Sequence, residues 1–154
     1  MDLFEQEIEQ LKLDLIKKYN TLGMRASGEW EKQLEYFVKA TEKLVLVEYW
    51  GLNYTEYLTK GRKNGGFPPI DVIRKWIDDK GITPMDNIGK DSLAFLIARK
   101  IAREGTEYFK QGGTDLIDGV ITKERIRTIA ESYGKSILTK FTFDINQQLQ
   151  RVVV

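Results

Sequence analysis

Apolar residues recur three or four positions apart from Asp2 to about Leu22: Phe4, Ile8, Leu11, Leu15, Tyr19 and Leu22 fall on one helical face. Glu5, Glu7 and Glu9 sit toward the start of this segment, and Lys17 and Lys18 toward its end, the polarity that complements a helix dipole. Gly23 is the predicted stop. Leu13 and Ile16 widen the stripe, so the helix is expected to contact two surfaces.

The period changes after Arg25-Ala26-Ser27-Gly28. Leu34, Tyr36 and Val38 alternate with charged residues, and Leu44 to Trp50 is β-branched and aromatic. The pattern predicts strands over Trp30 to Val38 and Leu44 to Trp50, joined by a turn near Ala40 to Lys43. Two strands are marginal alone and leave open edges through which strands of other copies can add.

A short helix over Asn53 to Thr59 follows, closed by Gly61. The loop Gly61-Arg62-Lys63-Asn64-Gly65-Gly66 is expected to be a mobile basic turn, with Phe67 just before Pro68 and Pro69. The prolines lead into a helix whose Ile70, Ile73, Trp76 and Ile77 make one apolar face, placing Trp76 in the core, and Gly81 ends it. The next helix is predicted to start at Asp91 or Ser92 and run to Glu104. Leu93, Leu96, Ile97 and Ile101 form its apolar side, Ala94, Ala98 and Ala102 a small-residue row, and Arg99, Lys100 and Arg103 a basic last half. Thr106 to Ile121 reads as a loop with one helical turn. Thr122 then caps a final helical stretch through Ile126, Ile129, Tyr133, Ile137, Phe141 and Ile145, either breaking near Gly134 or running to Gln150.

This inventory is α+β: mainly helical, with a long N-terminal helix, one β-hairpin or small antiparallel sheet, and a helical C-terminal extension. The 154 residues suit a chain with a core of its own, 42% hydrophobic and 31% charged. The absence of Cys and His removes disulfides, thiol nucleophiles, Ser-His pairs and most zinc sites. No metal, cofactor or catalytic residue is assigned. The N-terminus lacks a signal-peptide pattern and no apolar run approaches a membrane span, so an intracellular or cell-made particle context is expected, without a membrane.

The net charge of +1 hides an asymmetry: residues 1–59 carry 7 basic and 11 acidic side chains, while 60–154 carry 17 and 12. Such a dipolar chain can meet a copy of itself, positive part to negative part.

Several short segments, taken in order, resemble the tail-completion (neck, head-tail joining) proteins of tailed bacteriophages. They are Ala26-Ser27-Gly28, Tyr54-x-x-Tyr57-Leu58, Gly61-Arg62-Lys63, Phe67-Pro68-Pro69-Ile70, Ile73-x-x-Trp76-Ile77 and Ala98-Arg99-Lys100-Ile101-x-x-Glu104-Gly105-Thr106. The resemblance covers residues 1–121, leaving 122–154 as an extension beyond the point where the family ends. It implies a structural virion protein, assembled in the host cytoplasm into a ring, hexameric or dodecameric, between the portal-adaptor stack and the tail. DNA would pass through the ring without sequence-specific binding. Arg62, Lys63, Phe67, Pro68 and Pro69 are then the expected docking residues toward neighbouring rings. Leu44, Leu46, Tyr49, Trp50, Val152 and Val153 are the expected subunit-interface residues.

Two other readings compete. A nucleic-acid-binding module would use Arg62, Lys63, Arg99, Arg103, Arg125 and Arg127 on phosphates, against a near-zero net charge and no recognised reading motif. A carboxylate-pair hydrolase would use Glu104 and Glu107, with no apolar pocket or supporting residue evident in the sequence.

Overall fold

The computed structural model describes residues 2–41, 44–85 and 87–152, residue 152 by its backbone alone. Helix α1 spans Leu3–Thr21 and opens with a capping box: the Asp2 carboxylate accepts from the Glu5 amide at 2.8 Å, and the Glu5 carboxylate accepts from the Asp2 amide at 3.0 Å. Phe4, Ile8, Leu11, Leu15 and Tyr19 are its buried residues, the stripe that the spacing predicts. Leu13 stays exposed, whereas Ile16 packs against the core.

Trp30 does not belong to a strand. Gly28 turns the chain into a single helical turn, α2 (Glu29–Gln33), and this turn sets Trp30 and Leu34, four residues apart, into the core together. The Trp30 ring stacks on Tyr19 with centroids 4.6 Å apart and its indole N–H donates to Thr55 Oγ1 at 2.9 Å. Alternation begins only after Leu34. Strand β1 (Glu35–Ala40) pairs antiparallel with β2 (Val45–Trp50) in a register of Glu35 with Trp50 through Ala40 with Val45. Among the described residues no third strand joins them.

The hairpin has two different faces. Tyr36, Val45, Val47 and Tyr49 turn inward and are half-buried, and the Tyr49 hydroxyl donates to the Ile8 carbonyl at 2.7 Å. Burial, with Tyr36 and Glu9 nearby, pushes the Tyr49 phenol well above its ordinary range. On the outer face Phe37 and Trp50 meet edge to face at 5.9 Å, both exposed, beside the Lys39–Glu48 ion pair at 3.1 Å.

Helices α4 (Ile70–Asp79) and α5 (Lys90–Glu104) form a second packing unit, in which Ile73 and Ile77 lie against Ala94 and Ala98. Both alanines are fully buried, so the small-residue row is the contact face and lets the helices close up. Two expectations fail here. Trp76 is 39% exposed, because Ile73 and Ile77 already fill the face toward the alanines, and Leu96 is 45% exposed for the same reason. The start of α5 also moves forward: Gly89 is the N-cap, and Asp91 instead receives the Arg74 guanidinium at 2.7 Å, tying α5 to α4.

Helix α7 (Lys123–Val152) runs unbroken through Gly134. Thr122 Oγ1 accepts from the Arg125 amide at 3.1 Å, the cap that the sequence predicts. Its first half lies antiparallel along α1. Tyr133 meets Phe4 edge to face at 5.1 Å, Ser136 Oγ accepts from the Phe4 amide, and Arg125 reaches Asp14 at 3.3 Å and Glu7 at 3.7 Å. From Phe141 to Arg151 every residue is exposed, an overhang of about 16 Å at 1.5 Å per residue.

Candidate docking surface

The segment from Tyr54 to Thr114 builds one surface feature from three short pieces of backbone. Helix α3 (Thr55–Lys60) ends at Gly61 and α5 ends at Gly105. Both glycines take nearly the same conformation, φ 75°, ψ 177° and φ 78°, ψ 179°, a region closed to residues with a Cβ. Each exit therefore turns sharply and the two chains meet. The Arg62 amide donates to Thr106 Oγ1 at 2.9 Å, the Thr106 amide to the Arg62 carbonyl at 2.8 Å, and the Gly65 amide to the Ala102 carbonyl at 2.9 Å.

Thr106 also caps the single-turn helix α6 (Glu107–Lys110), whose backbone lies directly against Gly61. Beyond α6, the Thr114 amide and hydroxyl bond the Thr59 and Leu58 carbonyls, both at 2.7 Å. A loop that composition marks as mobile is in fact clamped at both ends. The Arg62 amide and carbonyl and the Gly65 amide are satisfied by partners distant in sequence, which braces the loop against the end of α5.

The predicted docking residues fare differently on this frame. Arg62 is a brace: its guanidinium donates to the Gly66 carbonyl at 3.2 Å and lies 5.9 Å from the Tyr57 ring centroid. Pro68 is buried and cannot meet a partner directly. Lys63 and Pro69 are exposed, and Phe67 is 52% exposed while stacking on Phe95 at 5.8 Å. Phe95 adds an apolar ring to the surface that the sequence reading had missed. It belongs to the exposed side of α5, and only the packing of α5 against α4 brings it beside Phe67.

Of the predicted interface residues, Leu44, Leu46 and Trp50 are exposed. Tyr49 is half-buried, and its hydroxyl donates to the Ile8 carbonyl. Val153 and the Val152 side chain lie outside the described residues.

Arg125 turns toward α1 and its two carboxylates, away from the Arg62–Lys63 loop. Glu104 and Glu107 share Lys110, at 3.1 and 3.3 Å, and these two contacts hold the lysine ammonium above its usual range. Among the described residues no group of three or more acidic side chains converges in metal-binding geometry, and no helix is long and apolar enough to cross a membrane. Comparison with known protein families, curated proteins and solved structures returned no match.

Proposed function

We propose that this chain is a structural subunit of a tailed-phage neck, assembling as an oligomeric ring that joins the head connector to the tail around the DNA channel. The observation that carries the proposal is the clamped loop, which presents Lys63 and the stacked Phe67–Phe95 pair outward from a braced backbone. A preorganised cation beside an apolar anchor suits repeated docking to a protein ring, because little ordering entropy is lost on contact. The exposed outer face of the hairpin, with Phe37, Leu46 and Trp50, supports contact between neighbouring subunits.

Each loop contact is small. In a closed ring all loops engage together, and the effective concentration of the second and later contacts makes the whole attachment strong. The proposed partners are a connector ring on one side and a tail component on the other, in a virion assembled in the host cytoplasm.

The test is the double variant Lys63→Ala/Phe67→Ala introduced into the source phage. Arg62 is spared because removing it would loosen the loop itself. The expected result is filled heads without attached tails under the electron microscope, from a subunit whose circular dichroism is unchanged. Normally joined particles would overturn the docking role.

A further inference from the structure

Helix α7 is the longest element of the chain, yet it contributes almost nothing to the core. Among the described residues its only buried side chains are those of Ser132 and Ser136. Neither apolar cluster contains an α7 residue: one gathers Leu15, Tyr19, Trp30 and Leu116 with their neighbours, and the other is the α4–α5 contact. Ile126 and Ile137 line an open apolar groove of about 760 Å³ between α7, α1 and the hairpin, and stay 54% and 47% exposed.

What holds α7 to α1 is mostly polar. Besides the Phe4–Tyr133 ring contact there are a long bond of 3.4 Å from the Phe4 amide to Ser136 Oγ and the Arg125 guanidinium between Asp14 and Glu7. Arg125 Nε is buried there with no hydrogen-bond partner, which works against docking. The helix is also weak by itself. Gly134 stands near its middle with open space around it, and the Thr128, Thr139 and Thr142 hydroxyls bond the carbonyls four residues back, a contact that slightly destabilises helices. Most helix stability in proteins comes from packing, and α7 has little of it.

Phe4, Ile8 and Leu11 are buried on the half of α1 that faces α7 and the hairpin, and they belong to neither cluster. Just before α7 the chain is anchored, with Leu116 fully buried and Val120 and Ile121 packed on the core. From this division we infer that α7 is a releasable arm, hinged at Thr122. It leaves the body by local opening, far more often than the chain unfolds globally, and uncovers the Phe4–Ile8–Leu11 face as it goes. The opening belongs to the single chain and requires no neighbouring subunit.

Thiol labelling of single cysteines in the full chain, which has none of its own, tests the release. Ser132→Cys lies on the buried side of the arm, and Ala94→Cys lies in the α4–α5 contact. Under native conditions Ser132→Cys is expected to react roughly 100-fold faster than Ala94→Cys, because its site opens without global unfolding. Adding Tyr133→Ala, which removes the ring from Phe4, is expected to speed the Ser132→Cys reaction about tenfold and leave Ala94→Cys unchanged. Hydrogen exchange of the unsubstituted chain gives a second readout, with residues 125–138 expected to exchange faster than residues 15–19 and 93–102. Equal labelling of the two cysteines, exchange of 125–138 in step with the other two segments, or a Tyr133→Ala effect that is shared by both sites or absent from both would each overturn the release. None of these results touches the neck proposal, which rests on the Lys63–Phe67 loop and the hairpin.

Discussion

Replacing Gly61 by alanine tests whether the clamp between α3, α5 and α6 organises the docking loop. At φ 75° and ψ 177° the residue sits where only glycine is at ease, and forcing a side chain there costs about 1–3 kcal/mol. The added Cβ would also land against the backbone of Phe109, 2.6 Å from its Cα, so α6 must shift. Overpacking of this kind costs a further ~1–3 kcal/mol. The stiffer unfolded chain returns about 0.4–1 kcal/mol, which leaves a net loss of about 3 kcal/mol. For a chain of this length that corresponds to a fall in Tm of roughly 6–12 °C. Urea and thermal unfolding followed by far-UV circular dichroism give the number, with Gly66→Ala as control. A Cβ at Gly66 meets nothing within 4 Å, so that variant should stay within about 0.5 kcal/mol of wild type. Hydrogen exchange adds a local readout: the Arg62 and Thr106 amides should exchange faster in Gly61→Ala. If Gly61→Ala and Gly66→Ala were equally stable, the proposed clamp would not be what holds the loop.

Ala98→Leu should destabilise by about 1–3 kcal/mol in urea titrations, because Ala98 is fully buried where α5 approaches α4. Truncating Ile77 on the facing side to alanine should cost about 2–5 kcal/mol, by transfer and cavity terms together. Tyr49→Phe removes the bond to the Ile8 carbonyl and should cost about 1 kcal/mol near neutral pH. Since the folded phenol is held above its ordinary range, the stability it contributes is intact below about pH 10 and is lost as the unfolded tyrosine ionises above it. Wild type should therefore lose more stability than Tyr49→Phe between pH 8 and pH 11, and equal losses would contradict the shift.

Periodicity in the chain alone located α1, the α4 and α5 pair, β2 and the last helix, because each is amphipathic over many residues and burial rewards one period. It also gave the Thr122 cap and the Gly61 and Gly105 stops, which are local chemistry. Short elements are harder to read: the alternation of Leu34, Tyr36 and Val38 suggests a strand reaching back to Trp30, yet one helical turn buries Trp30 and Leu34 together. Trp76 and Leu96 occupy apolar helical positions, and only the depth of the Ile73, Ile77, Ala94 and Ala98 contact decides that they remain outside.

The candidate site divides in the same way. Residue type marked Lys63 and Phe67 as an exposed cation and ring. Whether their loop was loose or braced depended on hydrogen bonds to Ala102 and Thr106, some forty residues away, which no local pattern encodes. The sequence by itself determined an α+β chain, mainly helical, without the side chains for thiol or imidazole chemistry, because composition and periodicity are properties of the covalent chain. The tertiary structure alone decided that Arg62 and Pro68 support the loop while Phe95 joins it, since those roles come from contacts between segments that burial, rather than chain order, brings together.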